Sequence, residues 1–102
     1  MSEIVCDKTM VGGQPTLKGT RLTVHNIVYG VYIDGKDYMT DHELTSEDVM
    51  AAITYCTALE CENNPYGRFC EHCILDKTWD VEPGDSKVAG WIYAKAILYP
   101  PK

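Results

Sequence analysis

The feature that most constrains the fold is a turn-rich run, Val11-Gly-Gly-Gln-Pro-Thr-Leu-Lys-Gly-Thr-Arg-Leu-Thr-Val24, which stops where an apolar helical pattern starts. Gly12 and Gly13 take positive φ without a Cβ penalty, and Pro15 fixes its own φ while holding Gln14 extended. With a second turn at Gly19-Thr20, the run reads as a hairpin-like arm. Thr16-Leu17 and Arg21-Leu22-Thr23 have strand-like composition, with Leu17 and Leu22 pointing inward, and Glu3 to Cys6 add an edge strand. Three such strands form a small sheet that is marginal alone. A helix or a second copy of the chain must cover its apolar side, so a homodimer is expected.

Beyond the arm the periodicity becomes helical. Val24, Ile27, Val28, Val31 and Tyr32 recur at 3.6-residue spacing and predict an amphipathic helix over Val24 to Ile33, with Thr23 as its N-cap and Asp34-Gly35 as its stop. Gly30 weakens that helix modestly. Lys36 to Glu43 is a polar connection with one helical turn at Asp37 to Thr40. Thr45-Ser-Glu-Asp48 is a capping signature, and Val49, Ala52, Ile53, Cys56 and Leu59 form the stripe of a helix from Ser46 to about Leu59. Cys61 to Arg68 is rich in turn formers, and Trp79 to Gly84 ends in another turn. Val88 to Tyr99 fits either period, and its alanines favour helix. The fold class is therefore mainly α with a small N-terminal β arm.

The 102 residues suit one domain with one core. At 45% hydrophobic and 24% charged the chain has a globular balance, and no apolar run reaches the ~18 residues of a membrane span. The N-terminus lacks a basic region followed by an apolar one, so a cytoplasmic location is expected. A net charge of -6 has the wrong sign for binding nucleic acid chiefly through phosphates. The charge is uneven, however. Residues 8–36 carry Lys8, Lys18, Arg21 and Lys36 against Asp34, whereas Asp37 to Asp48 hold five acids and no Lys or Arg.

Five cysteines in a cytoplasmic chain need an explanation, because thiols are kept reduced there. Four of them cluster as Cys56-x4-Cys61-x8-Cys70-Glu-His-Cys73, with one Cys-x2-Cys knuckle and His72 as a spare ligand. Four such ligands suit a structural zinc that tethers the loop to the preceding helix. Thiols without metal, a redox or disulfide pair of Cys70 and Cys73, and an iron–sulfur cluster are the alternatives. His25, His42 and His72 are dispersed, and no nucleophile triad, phosphate loop or paired-carboxylate motif is present, so nothing argues for an enzyme. Asp41-His42-Glu43 reads as a solvated loop, and Trp79, Trp91, Tyr93 and Tyr99 as core and interface anchors.

The glycine-rich run resembles the signature of the family catalogued as domain of unknown function 433, Gly-Gly-x-Pro-x-(Ile/Leu)-x-Gly-Thr-Arg-(Ile/Leu)-x-Val. A second block, Leu44-Thr-Ser-Glu-Asp-Val-Met-Ala-Ala-Ile-Thr-Tyr55, is similar to that family's Leu-Thr-x-Glu-Asp-(Val/Ile)-x-Ala-Ala-Leu-x-Tyr. The two cover residues of about 4–56, and 57–102 form a Cys-rich extension with no counterpart. The resemblance implies a helix-turn-helix-like core, often dimeric, in proteins that look like antitoxins. Such proteins bind a toxin ribonuclease of the PIN-domain type and repress their own operator DNA. On that reading Lys18 and Arg21 are the nucleic-acid candidates, although Arg21 equally suits an ion pair with Asp48. Two departures matter. The stretch Gly35 to Glu43 is shorter and more acidic than the family's connecting helix, and the Cys-rich half has no family equivalent. An antitoxin-like or regulatory binding protein is the first reading; a metal-stabilised or redox-responsive protein on the same scaffold is the second.

Overall fold

A computed structural model describes residues 3–9, 11–66, 75, 79 and 88–98. Among them the chain is mainly helical with a small β arm at its N-terminal end. Strands β1 (Ile4–Cys6) and β2 (Pro15–Leu17) pair antiparallel, with Ile4 opposite Leu17, Val5 opposite Thr16 and Cys6 opposite Pro15. Pro15 opens β2 at the end of the ladder, where its missing N–H costs least. The third strand expected at Arg21–Thr23 is reduced to a single bridge between Thr16 and Thr23. The Leu17 amide, donating to the Leu22 carbonyl at 3.0 Å, carries that bridge, while the Leu22 amide is turned to the Thr20 hydroxyl at 3.1 Å instead of extending a strand. Thr23 is meanwhile committed to the next helix, its hydroxyl accepting from the Asn26 amide at 3.1 Å.

That helix, α1 (Val24–Asp34), buries Val24, Ile27, Val28 and Val31. Tyr32, which the spacing assigns to the packing face, is instead 47% exposed. It stands roughly 90° around the helix from the middle of the buried stripe, too far to follow it into the core. Gly35 ends α1 at φ 56° and ψ −126°, a conformation that a Cβ disfavours, and its amide donates to the Val31 carbonyl at 2.8 Å. The single expected turn after it is a six-residue helix, α2 (Lys36–Asp41). Its Tyr38 lies directly over Gly30, where an added Cβ would come within 2.6 Å of the ring's Cζ and closer still to Cδ2 and Cε2. The hydrogen at Gly30 is what lets α2 settle against α1.

Helix α3 (Ser46–Thr57) begins with the capping box the sequence announces. The Asp48 amide donates to the Thr45 hydroxyl at 3.2 Å, and the Thr45 amide donates back to the Asp48 carboxylate at 2.9 Å. The helix ends two residues short of the expected Leu59, which turns to φ 55° and starts a 3-10 segment at Glu60–Asn63. Within Val88 to Tyr99, where the alanines favour helix, Val88–Tyr93 is α-helical and is named α4; Ala94–Leu98 continues it as a π-helical turn.

One core joins these parts. Val49, Ala52 and Ile53 of α3 pack with Leu17 of the arm, Ile27, Val28 and Val31 of α1, Leu75, Trp79, and Ala89 and Ile92 of α4. Each fully buried Ile or Leu contributes roughly 1.5–3 kcal/mol relative to exposure. The C-terminal residues described here thus share the core of the family-like half. Among the described residues no helix is long and apolar enough to cross a membrane.

Candidate functional site

The expected zinc tetrad is only half visible. Cys56, at the end of α3, and Cys61, in the 3-10 segment after it, are half-buried thiols. Cys70, His72 and Cys73 lie outside the described residues. Among the described residues no group of three His, Cys, Asp or Glu is placed to hold a metal ion.

The fold brings a different cysteine to Tyr55. Pairing of β1 beside α3 sets the Cys6 sulfur 3.9 Å from the Tyr55 hydroxyl, across a sequence distance of 49 residues. Burial pushes the Tyr55 hydroxyl well above the ordinary tyrosine range, reinforced by the bond to Cys6 and by the neighbouring sulfurs of Cys6, Cys61 and Cys56. Nothing in the cysteine spacing singles out Cys6, because its partner is set by strand–helix packing rather than by proximity in the chain. Tyr55 does stand out, as the last residue of the second block.

The outer face of α1 carries rings instead of charges. His25 and Tyr29 stack with centroids 6.2 Å apart, Tyr29 and Tyr32 follow at 6.5 Å, and Tyr32 meets the buried Trp79 edge-on at 5.2 Å. Tyr29 and Tyr32 are each 47% exposed, and Ile33 beside them is 57% exposed. On an ideal helix the carboxylate of α1, Asp34, falls about 180° from His25 and so away from this row. Trp91 on α4 is a further exposed ring, with the Lys95 ammonium 4.8 Å from its centroid.

The two nucleic-acid candidates sit in and after the turn that follows β2. Lys18 pairs with Glu3 at 3.2 Å, both side chains largely exposed, a contact worth little in stability. Arg21 is exposed, and among the described residues it forms no ion pair, with Asp48 or any other acid; the Asp48 carboxylate instead takes part in the α3 cap. Helix α3, which follows α2, contains no Lys or Arg and opens with Glu47 and Asp48. Asp41, the last residue of α2, and His42 and Glu43 after it are exposed as expected, with the His42 ring 4.2 Å from that of Tyr38.

Beside β1, α3 borders a groove of about 650 Å³. Its apolar lining includes Ile4, Met50, Ala51 and Tyr55, and Glu3, Glu47 and Glu60 line it as well.

The family model described as "Protein of unknown function (DUF433)" matches residues 4–56. No curated protein and no solved structure matches the chain.

Proposed function

The chain belongs to the DUF433 family, and from that premise we propose that it is an antitoxin-like or regulatory binding protein that acts through protein–protein contacts. The observation that carries this reading is the ring-bearing face of α1. Tyr29, Tyr32 and Ile33 are large apolar side chains left about half exposed on one helix, next to a well-packed core. Contiguous exposed apolar surface of this kind is characteristic of interfaces, where tyrosines in particular anchor partners. In this proposal α1 pairs with α1 of a second copy in a homodimer, and a PIN-domain-type ribonuclease is the partner that the family resemblance implies. Operator binding has the weaker physical support, because the acids at the start of α3 would meet phosphate with the wrong sign.

Co-expression with a PIN-domain ribonuclease encoded beside the gene tests the antitoxin part. Co-purification of the two, and relief of the ribonuclease's growth arrest, are expected. A ribonuclease that stays fully active and separate refutes it. A gel shift at ~100 mM salt tests the operator part, which fails if the upstream DNA is not preferred over unrelated DNA.

The half-buried thiols of Cys56, near the end of α3, and Cys61, in the segment after it, motivate a second reading, a metal-stabilised or redox-responsive protein. In it Cys56 and Cys61, with Cys70 and Cys73, hold a structural zinc at the C-terminal end of α3. Replacing Cys70 and Cys73 by Ser would destabilise a structural tether, but would abolish a metal- or oxidant-dependent change in partner binding.

A further inference from the structure

We infer that the groove between β1 and α3 is a docking site for a segment of a partner protein whose apolar side chains are flanked by lysines or arginines. The inference rests on the reading of the chain as a binding protein and names the chemistry of the partner at a surface distinct from α1. Its first support is shape. The groove offers about 650 Å³ and is broadly open to solvent, so an occupant lies along it rather than being enclosed. Ala51 is small, whereas Met50 and Tyr55, on the same helix, are large and half-buried. Ile4 of β1 lines the groove too, so the occupant meets apolar surface from two elements. Methionine on such a surface adapts to side chains of differing shape.

Charge selects the occupant. Among the described residues Glu3, Glu47 and Glu60 line the groove, and no Lys, Arg or His does. Lys18 reaches Glu3 through an exposed, weakly held pair that an incoming cation can replace. The other two carboxylates are exposed on α3 and in the 3-10 segment. A nucleic acid is repelled by this border, and an acidic peptide likewise. A segment with apolar residues at helical spacing and cations on its flanks meets both the lining and the carboxylates, and the attraction is strongest at low salt.

Two labelled helical peptides of about three turns test this. Both have the same Leu and Ala face; one is flanked by lysines and the other by glutamates. Fluorescence anisotropy with the full chain is expected to show the lysine peptide binding at least about tenfold tighter at ~50 mM salt, with the preference reduced at ~500 mM. Ala51→Trp, which fills the groove, should abolish that binding while circular dichroism and the urea midpoint remain near wild type. The exposed pair Glu47→Lys and Glu60→Lys should reverse the preference between the peptides. Equal binding of the two peptides overturns the proposal, as does undiminished binding to a folded Ala51→Trp variant. If Ala51→Trp instead dissolves a homodimer, the groove belongs to a second copy and the proposal is again overturned. A Tyr29→Asp, Tyr32→Asp variant that stays paired excludes the α1 face as the contact between copies, and peptide binding to the same variant still decides the groove.

Discussion

Replacing Gly30 by alanine should destabilise this protein, although in most helix interiors the same change stabilises. Intrinsic propensity alone favours alanine by about 0.8–1 kcal/mol. Against it stands the Tyr38 ring, whose Cζ would lie 2.6 Å from the new methyl carbon, with two other ring carbons closer. Carbon atoms rest at about 3.5–4.0 Å, so the ring or the whole of α2 must retreat by more than about 1 Å. The ring is held on other sides, packed at the margin of the core and resting on His42 at 4.2 Å. Overpacking of this kind costs about 1–3 kcal/mol, which leaves a net loss of around 1 kcal/mol once the propensity gain is subtracted. Urea unfolding with an unchanged slope measures it. The decisive comparison is Gly30→Ala in a Tyr38→Ala background, where the obstruction is gone and the substitution should stabilise by about 0.5–1 kcal/mol. Stabilisation in the wild-type background, or the same loss in both, refutes the reasoning.

Removing the α3 cap by Thr45→Ala should cost about 1 kcal/mol, read as a lower urea midpoint, because the Asp48 amide loses its acceptor. The raised Tyr55 hydroxyl makes an alkaline prediction. The folded state holds this proton more tightly than the unfolded chain, so the associated stability is intact below pH ~10 and is lost as pH rises toward the folded-state value. Melting temperatures of Tyr55→Phe should therefore fall less steeply than wild type above pH ~10, whereas identical slopes would show that Tyr55 does not contribute. If zinc is held as in the second reading, protein purified without chelator should contain about one zinc per chain, and Cys70→Ser with Cys73→Ser should remove it; less than about 0.2 per chain counts strongly against the metal.

Local chemistry was the legible part of the chain. The Thr45–Asp48 box, the Thr23 cap and the Gly35 stop each depend on groups within four residues of one another, so their effect survives whatever the rest of the chain does. Most of the buried stripes of α1 and α3 was legible too, but Tyr32 is exposed on the flank of α1, and on α3 Cys56 and Leu59 are only half-buried while Thr57 is buried. Long-range packing was not legible. Gly30 reads as a mere weakening of α1 until Tyr38 is seen above it. The third strand failed because the Thr20 hydroxyl takes the Leu22 amide and the Thr23 hydroxyl caps α1, a contest that strand propensity does not register. At the candidate sites, the spacing of cysteines drew attention to Cys56 and Cys61, while Cys6 reached Tyr55 only through the docking of β1. The ring row on α1 was hidden because Tyr32 falls on the apolar spacing in sequence and its last member, Trp79, lies 47 positions from Tyr32.

Native mass spectrometry of the wild-type chain and of the Tyr29→Asp, Tyr32→Asp variant tests the central claim most directly. A wild-type dimer that becomes a folded monomer in the variant is the predicted result, since two carboxylates in a ring-lined interface cannot be buried without partners. A wild-type chain that is already monomeric, or a variant that remains fully dimeric, contradicts the claim that the α1 face is the contact surface of this protein.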